Sequence, residues 1–110
     1  MKKKNEMSQE DKAELDMAVL QIAKKAQGEE RAIAVGNIAK ETLSSVWEVH
    51  QSIQRLRSKG HDLFINGYSQ AYFLVTWDEY KAQRDNYSRR SRSNRRMMQR
   101  LAERMKELKK

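Results

Sequence analysis

Residues 38–60 read IAKETLSSVWEVHQSIQRLRSKG. Ser45 followed by Glu48 matches a capping box, in which each side chain satisfies the other's free backbone N–H at a helix start. Val46, Val49, Ile53 and Leu56 then fall at i, i+3, i+7 and i+10, one apolar face, and Gly60 closes the helix. The opposite face shows Trp47, His50, Gln51, Gln54 and Arg55. Just upstream, Asn37 suits the cap of a short helix carrying Ile38 and Ala39 and ending near Thr42-Leu43-Ser44. The stretch predicts two helices joined by a brief turn.

Moving outward, residues 1–7 read as frayed. Ser8 with Asp11 starts a helix over 9–26, whose stripe is Leu15, Ala18, Val19, Ile22 and Ala26 and whose closure is Gly28. The run Ala32-Ile33-Ala34-Val35 suits a short strand or an extended lead-in. After Gly60 the period changes. Leu63-Phe64-Ile65 and Ala71-Tyr72-Phe73-Leu74-Val75 flank Asn66-Gly67-Tyr68-Ser69-Gln70, a hairpin signal. Thr76 or Asp78 then begins a final helix that meets no Gly or Pro before Lys110. Its 32 or so residues at ~1.5 Å each would span roughly 48 Å. The expected fold is mainly α with a small β-hairpin, in two parts: residues 1–77, and a long basic C-terminal helix over 78–110.

Composition bounds the function. The chain has 110 residues, 35% charged and 38% hydrophobic, which leaves a modest core. No run of about 18 apolar residues is present, so no membrane span is expected. Met-Lys-Lys-Lys is followed by polar residues rather than by the apolar stretch of a secretory signal. A cytoplasmic location, host cytoplasm or nucleoid, is expected. Absence of cysteine removes disulfides, thiolate catalysis and cysteine-based zinc sites. His50 and His61 are too isolated for a metal site. No phosphate-cradling glycine loop and no nucleophile–base pair is present. No enzyme, cofactor or metal is therefore expected. Glu10, Asp11, Glu14 and Asp16 read as the exposed face of the first helix.

Charge is concentrated at one end. Residues 84–110 carry eight Arg and three Lys against Asp85, Glu103 and Glu107, while residues 1–83 are neutral. Such asymmetry points to a polyanionic partner. Arg89, Arg90, Arg92, Arg95 and Arg96 crowd eight residues and suit phosphates; a solvated charge run is the alternative, disfavoured because few acids lie nearby to balance it. The same segment also shows a four–three spacing through Tyr80, Arg84, Tyr87, Ser91, Asn94, Met98, Leu101, Met105 and Leu108. Only Met98, Leu101, Met105 and Leu108 are apolar enough for a contact, read as a homodimer seam or as packing against the first helix.

The register from Ile38-Ala39 through Ser45, Val49, Ile53 and Leu56 to Gly60 resembles helix-turn-helix proteins of the biotin-repressor type. The following GHDLFINGYSQAYFLVT resembles their wing. The resemblance covers roughly residues 31–77 and implies a winged helix-turn-helix. An added C-terminal helix is similar to that of small phage or mobile-element regulators. Two positions depart from the pattern. The family carries Leu, Gly and Val where this chain has Thr42, Leu43 and Ser44, which suggests a reshaped turn with Leu43 packed inward. The wing tip also lacks Arg and Lys.

The resemblance implies a sequence-specific duplex-DNA-binding protein in transcription regulation, with helix 45–59 in the major groove. Physical chemistry assigns parts to its residues. Gln51 and Gln54 can donate and accept together, as adenine requires. His50 suits guanine or phosphate. Ser45, Ser69, Gln70, Arg55, Arg57 and Lys59 suit phosphates, with Arg57 placed toward the edge of the contact face; such contacts set register rather than sequence. Trp47 fits either a DNA contact or packing on the second helix or wing. Two rival readings stand beside this one. SRRSRSNRRMMQR resembles arginine-rich phage antitermination peptides that fold on RNA. A winged helix can also serve as a protein–protein adaptor in phage replication or packaging. A membrane-surface role for the basic segment is disfavoured by its short apolar face.

Overall fold

The computed structural model describes residues 7–90 and 95–108. Its helices are α1 (Gln9–Ala23), α2 (Val35–Glu41), α3 (Val46–Ser58), α4 (Trp77–Arg90) and α5 (Arg95–Leu108). The strands β1 (Ile33–Ala34), β2 (Leu63–Ile65) and β3 (Gln70–Phe73) form one antiparallel sheet in the order β1-β3-β2. The protein is thus mainly helical with a small three-stranded sheet. It divides into two compact units between Phe73 and Leu74, four residues ahead of the expected boundary.

Unit one is built on the stripes the sequence displays. Ser8 accepts from the Asp11 N–H at 3.0 Å and opens α1. Leu15, Val19 and Ala23 of α1 meet Val35, Ile38 and Ala39 of α2 and Val49, Ile53 and Leu56 of α3, with Leu63 and Ala71 from the sheet. Met7, expected to be frayed, packs against this core; residues 1–6 of that expectation lie outside the described residues. Val46 is a correction in the other direction. Its spacing places it on the apolar face, but it is 47% exposed.

Helix α1 stops three residues earlier than its stripe suggests, because the next segment is claimed by the sheet. Phe73 N–H donates to the Ala26 carbonyl at 2.7 Å, and Gly28 N–H to the Phe73 carbonyl at 2.8 Å. Helix α2 likewise starts at Val35 rather than after an Asn37 cap. Its first N–H donates to the Ser69 carbonyl at 2.9 Å, so backbone from the hairpin does the work expected of an asparagine side chain.

The hairpin pairs Leu63 with Phe73, Phe64 with Tyr72 and Ile65 with Ala71. Asn66 organises its tip. Its Oδ1 accepts from Tyr68 N–H (2.9 Å) and Gln70 N–H (3.1 Å), while its Nδ2 donates to Glu29 and Gln70. Ser69, not Gly67, takes the positive φ, 58°. This is a tight turn followed by a left-handed residue that restores strand pairing.

The turn between α2 and α3 corrects another expectation. Leu43 is 95% exposed rather than packed inward, and its φ is 54°. The backbone there is held by Thr42 N–H and Thr42 Oγ1 on the Ile38 carbonyl and by Ser44 N–H on the Ala39 carbonyl. A leucine therefore occupies a left-handed position that suits glycine. Leu43→Gly is expected to raise unfolding free energy by about 0.5–1 kcal/mol, read as a higher urea midpoint. A lower midpoint would show that Leu43 makes a stabilising contact.

Unit two is not one long helix. Helix α4 ends at Arg90 and α5 begins at Arg95, and the two pack on each other. The chain between Arg90 and Arg95 reaches at most about 18 Å, less than a parallel return along a 14-residue helix requires, so the pair is antiparallel. Arg84, Asp85 and Ser88 of α4 accordingly line a shallow cavity with Arg95, Met98 and Gln99 of α5. Thr76 and Glu79 cap α4 reciprocally: Glu79 N–H donates to Thr76 Oγ1 (3.1 Å) and Thr76 N–H to Glu79 Oε1 (3.2 Å). The physical reason for folding back is the stripe itself. A solitary helix would leave it in water, whereas here Tyr80, Tyr87, Leu101 and Met105 are buried.

That burial also bears on the expected dimer seam. Leu101 and Met105 are already covered within the chain, and Leu108 is 41% exposed. On the surface of α4, Lys81 donates to Asp85 at 3.1 Å. This bond holds the Asp85 carboxyl below the usual carboxylate range. The stabilisation is complete above the ordinary value and is lost as pH falls through the lowered one.

Candidate nucleic-acid interface

Helix α3 is fixed from behind and open in front. Its capping box is complete, with Glu48 N–H on Ser45 Oγ at 3.0 Å and Ser45 N–H on Glu48 Oε1 at 2.8 Å. Such a cap contributes about 1 kcal/mol and sets where the first turn begins. Val49, Ser52, Ile53 and Leu56 are buried. The other side presents Ser45, Val46, Trp47 and Gln54 as exposed and His50 and Gln51 as half-buried. Trp47, for which packing was the alternative, is 54% exposed.

Arg55 belongs elsewhere. Its guanidinium grips Asp16 of α1 through Nη2 to Oδ1 (2.8 Å) and Nε to Oδ2 (3.0 Å). The same carboxylate accepts from Ser52 Oγ at 2.5 Å and lies 4.0 Å from Lys59 Nζ. Asp16 is buried, which corrects its assignment to the exposed face of α1. Arg55 therefore ties α3 to α1 instead of presenting a free cation. Arg57 is also committed. It donates to the Leu63 carbonyl at 3.0 Å and lies 4.4 Å from the centre of the Phe64 ring, bracing β2.

At the hairpin tip Ser69 is exposed, and its carbonyl serves the first turn of α2. Gln70 is half-buried, and its Oε1 accepts from Asn66 at 3.0 Å. Tyr68 is 84% exposed at the tip. Among the residues expected to meet DNA, unit one thus brings Ser45, Trp47, His50, Gln51 and Gln54 onto one helix face. It turns Arg55 away and holds Gln70 in the turn.

In unit two, Arg95 and Arg96 are exposed in the first turn of α5, which contains no acidic residue. The helix dipole disfavours cations at that end. Two arginines there cost stability in the isolated chain. Arg89 falls on α4, but its side chain lies outside the described residues, as does Arg92 entirely.

Among the described residues no group of His, Asp or Glu is arranged to hold a metal ion, and no helix is long and apolar enough to cross a membrane. Comparison with family models, with curated proteins and with solved structures finds no match.

Proposed function

We propose that unit one is a winged helix-turn-helix and that the protein binds duplex DNA sequence-specifically, as a small regulator of the kind found in phages. The observation that carries this reading is the face of α3. Its inward stripe is buried, its start is locked by a capping box, and Trp47, His50, Gln51 and Gln54 are left outward. A helix enters the major groove, where side chains near its N-terminus meet base edges. The order helix, strand, helix, helix and two-stranded hairpin supports the same assignment. The cations of unit two, Arg95 and Arg96 among them, supply attraction to phosphates that the nearly neutral first unit lacks.

The test is selection from a pool of genomic duplex fragments by the purified chain, followed by titration of the recovered sequence and a scrambled copy. Recovery of a common element, bound at least tenfold more tightly than its scramble at ~100 mM salt, supports the reading. Equal binding of all duplexes would reduce it to a non-specific polyanion binder. Tighter binding of a structured RNA than of any duplex would favour the arginine-rich segment as an RNA ligand. Binding of neither polymer would favour the adaptor reading. An inverted repeat among recovered elements would indicate a homodimer, formed through some surface other than the buried Leu101 and Met105.

A further inference from the structure

The reading face of α3 has an unusual start. Directly after the Ser45 cap come Val46, 47% exposed, and Trp47, 54% exposed. Neither joins the core, whose α3 stripe is Val49, Ile53 and Leu56 with the Ser52 hydroxyl between them. Burial in the fold therefore does not account for two large apolar side chains at this place.

The charged groups of the same helix do not supply the face either. Glu48 is held in the capping box, Arg55 on Asp16 and Arg57 on the Leu63 carbonyl. What α3 offers outward is Ser45, Val46, Trp47, His50, Gln51 and Gln54: an apolar first turn followed by amides. The major groove offers donors, acceptors and one apolar group, the C5-methyl of thymine. Among the base edges of that groove, this methyl is the apolar partner. Glutamine in turn matches the paired donor and acceptor of adenine, the base opposite thymine.

We propose that Val46 and Trp47 form a thymine-methyl reader, so that the element recognised by α3 is A·T-rich with thymine methyls under the first helical turn. This rests on the duplex-DNA reading and specifies its target. The chemistry is contact alone: the two side chains cover methyl carbon that would otherwise face water, and Gln51 and Gln54 pair with neighbouring adenines.

Deoxyuridine lacks only that methyl, so it isolates the claim. The duplex recovered by selection is synthesised with dT, with dU throughout its common element, and with dU in the flanks alone. Burial of one methyl corresponds to about a fourfold change in affinity, and two to about fifteenfold. The expected result is about fifteenfold weaker binding of the element-substituted duplex and no change for the flank-substituted one. Trp47→Ala and Val46→Ala, both at exposed positions, should bring the dT/dU ratio toward one. Equal binding of dT and dU elements by the native chain overturns the thymine reader and leaves the DNA reading standing. Failure of the selection to return any preferred duplex overturns both.

Discussion

Arg55→Leu lowers the unfolding free energy of unit one by about 3 kcal/mol, read as a fall of about 2–3 M in urea midpoint. The substitution strands a carboxylate. Asp16 is buried between α1 and α3 and keeps only the Ser52 hydroxyl at 2.5 Å and the Lys59 ammonium at 4.0 Å. Breaking a buried pair from one side typically costs 3–5 kcal/mol, and the remaining partners and the 29% exposure of the Arg55 side chain put this case at the low end. Asp16→Leu combined with Arg55→Leu should recover most of the loss, because both charges are then gone. Ser52 can turn its hydroxyl back to its own helix. Arg55→Lys should fall between native and leucine, since an ammonium cannot reproduce two parallel bonds. At a temperature where Arg55→Leu remains folded, its preference for the selected duplex over a scrambled one should be unchanged. A variant as stable as the native chain but weak on every duplex would instead make Arg55 a phosphate contact.

That network marks where the sequence stops being legible. Asp16 is one residue from Leu15, three from Val19 and seven from Ala23, so it lies on the buried stripe of α1. Its acidic chemistry argued for solvent, and nothing local reveals a partner 36 or 39 residues away. The signal was present on α3, where Ser52 sits between Val49 and Ile53 on the inward face and needs an acceptor. Local devices were readable by contrast. Ser8, the Ser45–Glu48 box and the aromatic runs around Asn66-Gly67 all form as their chemistry requires.

Where α1 and α2 depart from expectation, the partner is distant in sequence. Helix α2 is capped by hairpin backbone, and α1 ends where β3 captures the chain. The run from Thr76 to Lys110 reads as continuous helix because Ser91-Arg92-Ser93-Asn94 contains neither Gly nor Pro. The apolar stripe nonetheless finds its cover where α4 and α5 pack on each other. For the candidate site, residue type identified the face of α3, but only tertiary structure shows which cations are already spent. Arg55 and Arg57 look free in sequence and are bound in the fold.

Two sets of substitutions should therefore separate reading from grip. Gln51→Ala with Gln54→Ala removes two amides from the outward face of α3 without touching Val49, Ile53 or Leu56. If each amide makes a bidentate contact with adenine, each is worth about 1–3 kcal/mol of discrimination. The double variant should lose at least tenfold in preference for the selected duplex over its scramble. The dependence of log affinity on log salt should stay within experimental error of the native slope, because no phosphate contact is removed. Arg95→Ala with Arg96→Ala should behave in the opposite way. These side chains are exposed in the first turn of α5, where the dipole already opposes them, so the variant should be no less stable than the native chain. It should bind the selected and scrambled duplexes more weakly by the same factor, with the salt slope reduced by about 2. Loss of preference in the arginine variant would show that unit two reads bases. An unchanged preference in the glutamine variant would take the two amides out of the reading face of α3.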